Sequence, residues 1–198
     1  MDERVVIEGE LSELATMGSA NVAIGLRADL TIAFTNAAWD AFADANDGDP
    51  AVVTPASGNI LDAMTPGVRR FYRELFTRVL RTGRPETHLY KCPSPTHSRE
   101  FALRVTPHGS GLLLTHHLLV EEVAQETPRA PDGTRYRRHD GTIVQCWNCR
   151  MTRRGADEAS WDWVPAWVAH APDGLVSELC PTCYLLDFET MLNGRSSS

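Results

Sequence analysis

The chain has 198 residues and a formal charge of −7 at pH 7, with a sequence pI near 5.5, which allows one domain of ordinary size plus a small module. The acidic balance argues against general nucleic-acid affinity, because phosphate is repelled on average. Met1-Asp2-Glu3-Arg4 lacks the basic-then-apolar pattern of a secretory signal, and the longest nearly apolar run, 111–120, is broken by Thr115-His116-His117 and is too short for a bilayer. A cytoplasmic chain without a membrane segment is therefore expected.

In chain order, Val6, Ile7, Leu11, Leu14 and Ala15 fall at helical spacing, so residues 5–17 predict a short amphipathic helix suited to dimerisation or capping. Residues 22–26 and 31–35 flank Arg27-Ala28-Asp29 as a hairpin, with Ile32 and Phe34 on one face. Asn36 is a good N-cap for a helix that turns Trp39, Phe42 and Ala43 inward and ends near 46–50, where Asp, Gly and Pro accumulate. Residues 59–64 predict a helical turn. Thr65 then caps a helix with Pro66 at its first position and Gly83 as its stop, with an apolar stripe of Phe71, Tyr72, Leu75, Phe76, Val79 and Leu80.

Three strands are expected next, over 86–92, 99–106 and 112–120, separated by proline- and glycine-rich breakers. In the second, Phe101, Leu103 and Val105 alternate with Ala102, Arg104 and Thr106. The order of two strands, helices and three strands implies an α+β arrangement, an antiparallel sheet with helices on one face. In the last strand His116 shares a face with Leu112, Leu114, Leu118 and Val120, where it can point into a pocket and bind a ligand or haem, or serve as a plain core histidine. Tyr90 and Arg99 are further pocket candidates, and Cys92 reads as a small buried residue.

Residues 125–141 are rich in Pro, Asp and Gly and read as a connection. Beyond them stands Cys146-Trp147-Asn148-Cys149, then thirty residues, then Cys180-Pro181-Thr182-Cys183. Each short pair turns tightly enough to aim both sulfurs at one ion, so the two pairs can supply the four corners of a tetrahedron. Structural zinc at Cys146, Cys149, Cys180 and Cys183 is the leading expectation. Iron on the same ligands, two disulfides and four ordinary buried cysteines are the alternatives. The intervening loop is long for a zinc ribbon, and Trp161, Trp163, Val164, Trp167 and Val168 can give it a small core. Arg135, Arg137, Arg138, Arg150, Arg153 and Arg154 surround the first pair. They can offset thiolate charge, form a solvated face or meet nucleic acid. After Cys183, the residues Tyr184, Leu185, Phe188, Met191 and Leu192 predict a closing helix, and 194–198 a frayed tail.

Over residues 11–122 the chain resembles a PAS domain. The resemblance rests on the opening Asn21-Val22-Ala23-Ile24-Gly25 strand, the junction from Ile32 to Trp39, the long helix before Gly83 and the three closing strands. The tail looks like the cysteine-rich extension attached to some PAS domains of bacterial signalling proteins. The resemblance implies a five-stranded PAS-like sheet, a sensor or dimerisation role, and a ligand site for a small molecule or haem, or none. The resulting division is a PAS-like domain over 1–123, a linker over 124–141 and a zinc-ribbon-like module over 142–193.

No phosphate-binding loop, dinucleotide fingerprint, nucleophile elbow or zinc-protease helix is present, so no enzymatic activity is expected. The expectation is a non-enzymatic signal-transduction protein, homodimeric and with a protein partner. A redox or haem/iron sensor is the first alternative, and a nucleic-acid-binding regulator using the basic patch is the second.

Overall fold

The computed structural model of the chain describes residues 21–46, 53–157 and 159–188. The expected 5–17 helix and 194–198 tail lie outside them, as do Met191 and Leu192 of the closing helix.

The protein is α+β. A five-stranded antiparallel sheet is built from β1 (Val22–Leu26), β2 (Ile32–Thr35), β3 (Glu86–Lys91), β4 (His97–His108) and β5 (Gly111–Val123), in the order β2-β1-β5-β4-β3. The hairpin of β1 and β2 forms because Asp29 accepts the Thr31 amide at 3.0 Å, an Asx turn. Its strands then place Ile24, Leu26, Ile32 and Phe34 in the core.

Helix α1 (Ala37–Ala45) begins at Asn36, whose Oδ1 accepts from the amides of both Trp39 and Ala23. Its Nδ2 donates to the Asn21 carbonyl at 2.9 Å, so a single buried side chain fastens helix to strand. Ala43 is buried as expected, whereas Trp39 and Phe42 are half-buried. Two 3₁₀ turns, Pro55–Ser57 and Ile60–Ala63, precede helix α2 (Pro66–Thr82). Proline occupies the first turn of α2, and Gly83 ends it in the left-handed region with φ 65. Thr65 stands at the N-cap without a capping side-chain bond, and Arg69 instead binds the carbonyls of Leu61 and Met64. Phe71, Leu75, Phe76 and Val79 are fully buried, and Phe71 packs on His88 of β3 with ring centroids 4.7 Å apart.

In β4 the alternation holds, with Phe101, Leu103 and Val105 buried. In β5 the inward face holds for Leu112 and Leu114 but not beyond His116: Leu118 and Val120 are 48% and 43% exposed. Residues 22–26 of β1 pair with β5 only as far as His116.

A second sheet joins β6 (Ile143–Cys146), β7 (Thr152–Arg153), β8 (Trp161–Asp162) and β9 (Leu175–Glu178), in the order β8-β7-β6-β9. Strands β6 and β9 run parallel. Helices α3 (Gly133–Tyr136), α4 (Pro165–Ala169) and α5 (Pro181–Cys183) accompany it, the last continuing into a π-helical turn over Tyr184–Phe188.

The chain forms two compact units. One comprises the described residues of Met1–His88 with Ala102–Leu118, the other those of Leu89–Phe101 with Leu119–Ser198. Within 124–141, Tyr136 of α3 is fully buried with Ile143 and Val164, and Trp167 and Leu175 pack against them.

Candidate metal centre

The two cysteine pairs are brought together by the parallel pairing of β6 and β9. Their register sets Ile143 against Leu175 and Cys146 against Glu178, so each strand releases its cysteine pair at the same end of the sheet. The Trp147 amide extends the pairing by donating to the Glu178 carbonyl at 3.0 Å.

The first pair lies on a tight turn. The Cys146 amide donates to the Met151 carbonyl and the Arg150 amide to the Cys146 carbonyl, at 2.8 and 2.9 Å. Closing this turn forces Arg150 to φ 62, a conformation unusual for a residue with a Cβ. The second pair opens α5. Cys180 is its N-cap, with its Sγ accepting from the Cys183 amide at 3.4 Å, while Pro181 takes the first helical position.

The result is a cluster of four sulfurs, from Cys146, Cys149, Cys180 and Cys183, all within 4.8 Å of one another. Cys146, Cys180 and Cys183 are buried and Cys149 is half-buried, with Trp161 and Leu179 packed against them. All five cysteines of the chain are free thiols. The Cys149 and Cys180 sulfurs are 3.7 Å apart. A tetrahedral ion with metal–sulfur bonds of ~2.3 Å places its ligands about 3.8 Å apart, so the donor set and spacing fit a metal ion such as zinc. Metal-free, the cluster cannot hold four negative charges: neighbouring thiols lower the pKa of Cys146, and its thiolate raises that of Cys149. A cation removes this conflict.

The loop between the pairs is locked by a polar network. Asp162 is buried and accepts a bidentate pair from Arg154 at 2.8 and 2.9 Å and a bond from the Tyr136 hydroxyl at 2.9 Å. Arg154 first, then the Tyr136 hydroxyl, holds its carboxyl down to about 2. Trp163 and Val164 are buried, as the expected loop core requires, and Trp161, Trp167 and Val168 are half-buried. Of the six arginines of the basic stretch, Arg135 and Arg154 meet Asp162, Arg138 and Arg153 meet Glu178, and Arg137 binds the Gly141 carbonyl.

The remaining candidates lie elsewhere. Tyr90 stacks on Phe101 at 5.4 Å, and Arg99 pairs with Glu121 at 2.6 Å. Cys92 is half-buried, and burial of its thiol raises its pKa despite the nearby Arg150 and Arg99. His116 is half-buried with an enclosed Nε2, and burial lowers its pKa to about 4. It belongs to the first compact unit and Tyr90 to the second.

Two residues had no signal in the sequence. His88 is buried against Phe71 and Tyr72, with a pKa lowered to about 4 by burial. Asn148, buried between the first two cysteines, accepts the Lys91 amide on its Oδ1 at 2.7 Å. That contact spans 57 positions, beyond the reach of local pattern.

Among the described residues no helix is long and apolar enough to cross a membrane. No protein-family model matches the chain, and no curated protein matches it either.

Proposed function

We propose that the four cysteines hold one structural zinc ion, and that the protein is a non-enzymatic regulatory protein in which a PAS-like sensing or dimerisation domain is coupled to a zinc-stabilised interaction module. The observation that carries the metal assignment is the cluster of four sulfurs within 4.8 Å, delivered by two strands in parallel register. Four thiolates around one divalent ion form a closed site with no position left for substrate, which favours a structural over a catalytic role. Zinc folds such a module by adding binding energy that a small core lacks. Five free cysteines suit a reducing, cytoplasmic setting.

A protein partner or second copy is supported by the consecutive exposed side chains Leu118, Leu119 and Val120, with Val123 at 63% exposure, along β5. Nucleic acid is a weaker reading, because five of the six module arginines are committed to partners inside the module. Iron remains the second reading, since an all-sulfur tetrahedron suits it equally. A small molecule or haem near His116 is the corresponding reading for the PAS-like part.

The test is elemental analysis and a visible spectrum of protein purified without added metal. About one colourless zinc per chain, lost in Cys180→Ser, is the expected result. Visible absorbance with iron at the cysteines moves the protein to the redox class, a haem spectrum abolished by His116→Ala assigns the sensor ligand, and a chain without metal overturns the assignment.

A further inference from the structure

The bond from the Lys91 amide to Asn148 joins two features of different kinds. Strand β3 is an edge strand, with β4 on one side only. The Cys92 amide donates to the Arg99 carbonyl of β4 at 3.1 Å, so by antiparallel alternation the Lys91 amide points out of the sheet. An outward amide at an edge is an open pairing position unless something covers it. Here the cover is Asn148, which lies in the four-residue turn that carries Cys146 and Cys149 and is 1% exposed.

The position of that amide group depends on the turn. Its Cα sits one residue from Cys149 and two from Cys146, and the turn is closed by the main-chain bonds from the Cys146 amide to the Met151 carbonyl and from the Arg150 amide to the Cys146 carbonyl. Arg150 opposes closure through its positive φ. An ion bound to both sulfurs holds the turn shut.

We propose that the metal centre acts as a gate on the free edge of β3. With metal bound, Asn148 is held against the Lys91 amide and the edge is closed. When metal leaves, the turn relaxes, Asn148 withdraws and the outward amide of β3 faces solvent, while β3 stays paired with β4. This inference rests on the metal reading of the four cysteines.

Amide hydrogen exchange on the full chain tests it, comparing zinc-loaded protein with reduced protein stripped by a chelator and then given back zinc. The expected result is that Lys91 exchanges about tenfold faster without zinc and recovers on its return, whereas the Cys92 amide, bonded to Arg99, and the Ala124 amide, bonded to the Thr96 carbonyl, change little. Asn148→Ala with zinc still bound should speed exchange at Lys91 alone, and Asn148→Asp, which keeps an oxygen in place, should restore protection. Lys91 unchanged by stripping, or in zinc-loaded Asn148→Ala, overturns the gate. So does acceleration of Lys91, Cys92 and Ala124 together, which is unfolding rather than opening. Failure to take up zinc overturns the metal reading and the gate with it, whereas zinc uptake with Lys91 unaffected overturns the gate alone.

Discussion

The Tyr136 hydroxyl donates to Oδ2 of Asp162 at 2.9 Å, joining a helical turn before the first cysteine pair to a strand in the loop between the pairs. Because Arg154 grips both oxygens of the same carboxylate, the network survives loss of the phenol oxygen. Tyr136→Phe should cost about 1 kcal/mol, one hydrogen bond. Tyr136→Ala also empties the centre of the cluster with Ile143 and Val164 and should cost roughly 3–5 kcal/mol. Asp162→Ala removes the shared acceptor of Arg154 and the Tyr136 hydroxyl and should also lower stability. Chemical denaturation of the zinc-loaded protein measures all three.

The buried His88 makes stability depend on pH in a definite direction. Its folded pKa is lowered from 6.5 to about 4 by burial, so the unfolded chain binds the proton first as pH falls. Its contribution is complete above pH 6.5, is lost as pH drops from 6.5 towards 4, and levels off below. The span amounts to about 3 kcal/mol. His88→Gln, neutral throughout, should be the less stable protein at pH 7, and the gap should close between pH 6.5 and 4. Measuring wild type and variant side by side cancels the acid release of metal common to both.

Thiol accounting separates Cys92 from the four-sulfur cluster. In zinc-loaded protein near neutral pH none of the five thiols should react quickly with a thiol reagent. A chelator should release four, and the fifth should appear only on denaturation, since burial raises the pKa of Cys92. Cys92→Ser should leave the metal content unchanged, in contrast to Cys180→Ser.

Arg78 and Glu86 form a fork of two bonds, 2.6 and 2.7 Å, linking α2 to β3. Both side chains are about a third exposed or less, so the pair is partly sheltered from solvent. Arg78→Lys should lose the bidentate geometry at a cost of about 1 kcal/mol, and raising the salt concentration should narrow the difference. The thermal midpoints at two ionic strengths provide the check.

The features that were legible in the sequence are those specified by neighbours in the chain. Pro66 and Gly83 bound α2 because each acts on its own backbone. The alternation of Phe101, Leu103 and Val105 reads the pleat directly. The cysteine frame is legible because metal geometry dictates short spacings. The same alternation placed Leu118 and Val120 inward, and there it failed: periodicity gives the face of a strand but not where the core beneath it ends. Tyr136 stood alone among Pro, Asp and Gly residues, with no repeat to mark it as core. The parallel pairing of β6 and β9 involves two four-residue strands without alternation, and all four residues of β6 are buried. The clamp of Asn148 on Lys91 is purely tertiary.

That parallel register has a further consequence for how the sequence can vary. Because β6 and β9 set the separation of the two cysteine pairs, the length of chain between them is not a determinant of the site. Cys149 and Cys180 are 31 positions apart. Lengthening the crossover by six residues adds only about 0.2 kcal/mol of closure entropy. The exposed stretch at His170 and Ala171, just past α4, lies outside both the strands and the Asp162 network. Insertions there should change zinc affinity by less than about twofold, so chains carrying the same centre can differ widely in the distance between their cysteine pairs.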